Sequence, residues 1–256
     1  MGGLTVLKEL AQRFPDENFI YLGDTARLPY GSKSSSTVYR YAVQNIDYLR
    51  NQNCKAIIAA CNSASSSLLS EREDDFELPI INVIEPACQL TETTTTTNQV
   101  GLLGTRSTIS QLAYQNILGV SRPDIKITAV ACPLFVPFIE EGLTEDPLTN
   151  LIIHRYISSF KNTSIDTVIL GCTHYPLIKE SIQKILGNHV KLIDSAPAVA
   201  DVLQHKMGAN IILPRGPEDT SRQINLHITD INSEFDKIAP FFLSPVSYDQ
   251  ITLVSL

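Results

Sequence analysis

Asp166-Thr-Val-Ile-Leu-Gly-Cys-Thr-His-Tyr-Pro-Leu177 is an apolar run that ends at a cysteine flanked by glycine and polar side chains. An uninterrupted Val-Ile-Leu segment of this kind reads as a strand buried on both faces, as in a parallel sheet. The same grammar stands far upstream in Lys55-Ala-Ile-Ile-Ala-Ala-Cys-Asn-Ser-Ala-Ser65, where Cys61 closes the strand pattern ahead of Asn62 and Ser63. Ligands in α/β sheets sit at strand ends. Two strand-end thiols beside small polar residues therefore predict one site that faces two ways.

Working outward, further strands are expected over 18–22, 79–84, from 99, and over 125–132, 190–194, 225–229 and 251–254. Helical periodicity marks 4–14, 34–49, 64–69, 107–118, 151–160, 178–186 and 195–203. The 79–84 strand is read as closed by Glu85-Pro86, and Thr91 to Thr97 as a frayed helix end or surface connection. After Gly208 the pattern loosens, and the tail is expected to pack back on the first half. Strands and helices alternate throughout, which predicts an α/β fold: two similar parallel-sheet domains facing across a central cleft. The expected division is 1–84 plus 195–256 for the first domain and 85–194 for the second. Gly2-Gly3 reads as a turn into the first helix; such a turn normally follows a strand, so the chain reads as starting inside a βα unit with its N-terminal strand missing.

Hydrophobic residues make up 43% and charged residues 18%, which excludes a disordered chain. The net charge of −7, with no basic block, disfavours nucleic acid. No apolar run approaches the ~18 residues of a membrane span. Five cysteines without a C-x-x-C pair indicate neither a disulfide framework nor a zinc site, and reduced thiols fit a cytoplasmic location.

A single strand-end cysteine is ordinarily inert packing, but two in matching contexts point to proton transfer. One thiolate and one thiol on opposite faces of a carbon remove a proton from one side and return one on the other, inverting a stereocentre. His174 is placed to polarise or deprotonate Cys172. Asn62, Ser63 and Thr173 suit the carboxylate and ammonium of a zwitterion and equally suit helix caps. Tyr30-Gly31 offers backbone N–H groups in a loop. Glu140-Glu141 reads by itself as a solvated face, and Cys54, Cys88 and Cys132 as packing.

Taken together, Gly-Asp-Thr-Ala-Arg-Leu-Pro-Tyr-Gly (23–31), Ala-Cys-Asn-Ser-Ala-Ser (60–65), Cys-Pro-Leu-Phe-Val-Pro-Phe-Ile-Glu-Glu-Gly (132–142) and Gly-Cys-Thr-His-Tyr-Pro-Leu (171–177) resemble the bacterial glutamate racemases of the aspartate/glutamate racemase superfamily. The resemblance implies interconversion of L- and D-glutamate with no cofactor and no metal, supplying D-glutamate for peptidoglycan. It implies that Cys61 handles the proton on the D-glutamate face and Cys172 that on the L-glutamate face. Tyr30, Gly31, Asn62, Ser63, Thr173 and His174 fall on the substrate-binding positions. Glu141 is the assisting carboxylate near Cys172 and His174, with Glu140 the close alternative. The expected partner is the small-molecule substrate, with neither nucleic acid nor membrane, and a homodimer is the candidate assembly. A racemase for another small acid such as aspartate, and a binding or regulatory protein on the same fold, are the competing readings.

The pattern departs at the front. Family members begin with a strand ending Asp-Ser-Gly-Val-Gly-Gly-Leu-Thr, whereas Met1-Gly2-Gly3-Leu4-Thr5 takes it up at the Val position. The expectation is a start further upstream, or a form that is weakly active or inactive and prone to aggregate.

Overall fold

The computed structural model describes residues 1–70, 76, 78–161, 163–214, 222–231 and 235–256. In chain order the elements are α1 (Gly3–Arg13), β1 (Phe19–Gly23), α2 (Ser35–Arg50), β2 (Ile57–Ala59), α3 (Asn62–Ser70), β3 (Ile80–Asn82), α4 (Ile84–Thr94), β4 (Gln99–Gly104), α5 (Arg106–Ser110) and α6 (Ala113–Ser121). They continue with β5 (Lys126–Ala131), α7 (Phe135–Glu140), α8 (Pro147–Ile157), β6 (Thr167–Gly171), α9 (Lys179–Leu186), β7 (Lys191–Ile193), α10 (Ser195–Gly208), β8 (Ile224–Ile228), α11 (Phe235–Leu243) and β9 (Gln250–Leu253).

Strand β6 behaves as its composition demands. Every residue from Thr167 to Gly171 is buried. Val168 and Leu170 join Phe135, Phe160 and Ile182 on one face, while Ile169 joins Ala87, Tyr114 and Leu118 on the other. That is the two-per-turn alternation of a strand covered by helices on both sides. It lies inside a four-stranded sheet ordered β5-β4-β6-β7, in which every pairing is parallel.

The other strands form a three-stranded sheet, β1-β8-β9, and a pair, β2-β3, again all parallel. Strands β1 and β2 do not pair. Both instead line a cavity of about 1400 Å³ that reaches Cys61 and Cys172. The first turn of α1 stands at this opening, with Gly3 close against Ala60 and Tyr21. Helices α1 and α10 pack together over Val6, Leu10, Val199 and Leu203, and α11 packs on α1, so the tail does return to the first half.

Several local expectations are corrected. The strand at 79–84 ends at Asn82, and Ile84, Glu85 and Pro86 open a helix. Proline is tolerated there because the first-turn N–H groups have no intrahelical acceptor. The helix expected over 107–118 breaks into α5 and α6 at Leu112, whose φ of 57° is left-handed. Helix α8 begins earlier than its apolar period suggested, because Asp146 caps the Leu148 N–H and Pro147 occupies the first position. Helix α11 was not expected at all; Phe235 and Phe242 are fully buried in it. Among the described residues, no helix is long and apolar enough to cross a membrane.

Candidate active site

Both thiols stand where a strand gives way to a helical turn. Cys61 follows β2 and caps α3, its carbonyl accepting the Ser65 N–H at 2.8 Å. Cys172 follows β6, its carbonyl accepting the Tyr175 N–H at 3.0 Å. Each run stops at small or turn-forming residues, so the chain turns and leaves the sulfur at the cleft. Cys61, Asn62, Ser63, Tyr30, Gly31, Cys172, Thr173, His174, Glu140 and Glu141 all line the one cavity.

Behind Cys172 stand an imidazole and, beyond it, a carboxylate. The sulfur is 3.7 Å from His174 Nδ1, and His174 Nε2 lies 2.9 Å from Glu140 Oε1. The carboxylate holds the proton of a neutral ring on Nε2 and turns the Nδ1 lone pair toward the thiol. Burial holds the His174 pKa below the ordinary imidazole range despite Glu140. Burial also pushes the Cys172 thiol up to about 12, so it rests protonated. For Glu140, burial acts upward, but the hydrogen bond from His174 outweighs it and the pKa lies below the usual carboxylate value. Phe242 closes the ring from the side, edge-on at 5.5 Å between centroids.

Of the two candidate carboxylates, Glu140 is the one whose side chain meets His174. Glu140 shares a helix face with Val136, one turn back, and that face looks into the cavity. Glu141 is the capping residue after α7 and is exposed, although it too borders the cavity.

The Cys61 side is built differently. Asn62 is buried and donates from Nδ2 to the Tyr114 hydroxyl at 2.8 Å, while its Oδ1 has no partner among the described residues. Ser63 shares a hydrogen bond with Thr105 at 3.0 Å, across to the second sheet. Thr173 donates to the Ala60 carbonyl at 3.4 Å, which ties the Cys172 turn to the residue before Cys61.

Tyr30 and Gly31 begin a short 3₁₀ turn that packs on α5. The Tyr30 hydroxyl is turned away onto Asp24, a carboxylate that also accepts from Arg27 Nε at 2.7 Å and Thr229 at 3.1 Å. Burial and that bond raise the phenol pKa, so the side chain anchors the turn and leaves its backbone to the cavity. Gly31 is required by proximity: a Cβ there would lie 2.9 Å from that of Thr105.

Sequence reasoning missed Asp24, Thr105 and Tyr114. Only the Asp24/Arg27 spacing within 23–31 hinted at a buried ion pair. Cys88 and Cys132 are fully buried, with thiol pKa values raised by burial, in keeping with packing. Among the described residues, no group of three or more His, Cys, Asp or Glu side chains is arranged to hold a metal ion.

Comparison with known proteins fits this geometry. The family model described as Asp/Glu/Hydantoin racemase matches residues 4–203. A glutamate racemase of Geobacter metallireducens is 38% identical over 246 residues, covering 95% of this chain and 89% of the relative. Among solved structures, a Francisella tularensis glutamate racemase in complex with D-glutamate aligns with a TM-score of 0.90 at 36% identity, over 99% of this chain and 94% of that one. A glutamate racemase isoform of Bacillus anthracis aligns at 0.92 and 30% identity, over 100% and 94%. With paired strand-end thiols between two parallel sheets and a match over most of its length, this chain belongs to the Asp/Glu/hydantoin racemase family.

Proposed function

We propose that the chain interconverts L-glutamate and D-glutamate without a cofactor, by proton transfer through Cys61 and Cys172 on opposite faces of Cα. The observation that carries this reading is the pair of thiols lining one cavity, one of them backed by the His174–Glu140 relay. The substrate follows from the relatives, which are glutamate racemases, one of them in complex with D-glutamate. On this reading the chain divides into 1–84 with 195–256 and 85–194, and the enzyme works in the cytoplasm, supplying D-glutamate for peptidoglycan.

For L-glutamate, the Cys172 S–H proton passes to His174 Nδ1. The thiolate then takes the Cα proton, and the Cys61 thiol protonates the carbanion from the other face. The products are D-glutamate, a Cys61 thiolate, a reprotonated Cys172 and a His174 imidazolium; the imidazolium gives its extra proton to solvent and Cys61 takes one back, which resets the site, and the reverse direction begins from the Cys61 thiolate. Ionising a thiol with a pKa near 12 at neutral pH costs about 7 kcal/mol. His174 serves as the acceptor, and the substrate's ammonium beside the sulfur favours the thiolate. The unpartnered Asn62 Oδ1 is suited to accept from that ammonium. The backbone N–H groups of Tyr30 and Gly31, with the Ser63 and Thr173 hydroxyls, are suited to the carboxylates. General acid-base catalysis supplies only ~10²–10⁴-fold, so these preorganised groups carry much of the carbanion's stabilisation.

Cys61→Ala and Cys172→Ala test the reading. Inversion followed by circular dichroism, and solvent deuterium uptake at Cα over a panel of amino acids, should show glutamate as the preferred substrate. Each variant should abolish inversion; retained inversion in either one sinks the two-thiol mechanism.

A further inference from the structure

The first turn of α1 is wedged between the two thiol shoulders. Gly3 rests on the Ala60 side, where an added Cβ would lie 3.2 Å from the Ala60 Cβ and carbonyl oxygen. Gly2 rests on the other side, where a Cβ would fall 2.4 Å from His174 Nδ1 and 2.5 Å from the Thr173 hydroxyl. Between them, the buried Thr5 hydroxyl is shared by two carbonyls, Gly2 at 2.9 Å and Thr173 at 2.8 Å. Thr173 is the residue between Cys172 and His174. Its side chain reaches on to the Ala60 carbonyl at 3.4 Å.

We infer that Thr5 is a positioning residue, which clamps the Cys172–His174 turn onto α1 and so sets its distance from the Cys61 shoulder. The inference rests on the two-thiol reading. Thr5 touches neither sulfur; it acts through the Thr173 backbone. An apolar isostere leaves that carbonyl without its donor and frees the turn to shift, and displacements on the scale of an ångström cost up to ~10²-fold in turnover.

The test compares Thr5→Val, Thr5→Ser and Gly3→Ala in the full chain. Thr5→Val should lower kcat about tenfold with KM within about twofold, because alignment is lost and binding is not. Alkylation of Cys172 relative to Cys61, read by mass spectrometry, should rise severalfold, and this readout does not depend on turnover. Thr5→Ser should restore both values. Gly3→Ala should leave the protein folded, since the Ala60 neighbour need give by only a few tenths of an ångström, while kcat falls as the shoulder is pushed away.

A folded Thr5→Val protein with parental kcat and parental Cys172 alkylation overturns the inference, as does a serine variant that rescues neither. Should Thr5→Val fail to fold, Gly3→Ala decides: unchanged kcat in a folded protein overturns it. Cys172→Ala separates the layers. If it abolishes inversion while Thr5→Val does nothing, only the clamp falls; if it retains inversion, the two-thiol reading falls.

Discussion

The Cys172 and Cys61 shoulders share a sequence grammar and differ in what stands behind the sulfur. Cys172 is buried, with an imidazole 3.7 Å away and a carboxylate behind that ring. Cys61 is half-buried, beside an amide and a hydroxyl that are already engaged with Tyr114 and Thr105. The strands beneath them differ too. At the start of β6, Asp166 accepts from the Thr95 and Thr96 hydroxyls and the Thr96 and Thr97 N–H groups, all within 2.9 Å. Strand β2 begins instead at an ion pair, Lys55 with Glu17, on a strand whose other edge faces the cavity. On the proposed reading, one stereochemical task falls to a buried sulfur with an imidazole beside it and to a half-buried one whose neighbours, among the described residues, are an amide and a hydroxyl.

Removing the imidazole attacks the contrast most directly. His174→Asn keeps a polar side chain but no base, and kcat should fall by about 10²–10³-fold, as loss of a general base does. A loss below tenfold in steady-state assays would mean that Cys172 works as unaided as Cys61.

A smaller effect distinguishes the neighbouring carboxylates. Glu140→Gln should lower kcat about tenfold, whereas exposed Glu141→Gln should stay within about twofold. The pH profile supplies the sign. Burial already holds the His174 pKa below the ordinary ~6.5, and the Glu140 charge acts to raise it. Neutralising Glu140 therefore moves the acid limb of kcat to lower pH. A limb that moves upward, or moves equally in Glu141→Gln, would dissolve the assignment.

The smallest effect concerns the anchor. Four hydrogen bonds outweigh burial and hold the Asp166 carboxyl well below the usual carboxylate range. With the folded pKa below the unfolded ~3.9, its contribution is present above that pH and fades as pH falls toward the folded value. Asp166→Asn should cost about 1 kcal/mol at neutral pH, given its partial exposure, and the cost should shrink as pH falls below the unfolded ~3.9. Urea denaturation at both pH values reads it.

Legibility followed locality. The β6 and β2 runs, the strand ends at Cys61 and Cys172 and the alternation of elements could be read because each rests on a short apolar period. Pro86 misled, because a proline after a strand signals a stop and equally suits a helix's first turn. The sequence resemblance favoured Glu141 over Glu140 with little to separate them; the rotation of α7 about its axis brings Glu140 to His174. Helix α11 escaped notice because its phenylalanines are explained by what they cover, α1 and His174, and not by their neighbours in sequence.

The sequence by itself determined the α/β class, the two thiols and the polar residues that follow each, because strand period and strand-end chemistry are written within a dozen residues. The tertiary structure alone decided that Glu140 meets His174, that Asp24 holds Tyr30 and that Thr5 grips Thr173. Glu140 and His174, and Thr5 and Thr173, are far apart in the chain, while Asp24 and Tyr30 share one loop whose folding no sequence period announces; tertiary packing brings their atoms within hydrogen-bond reach.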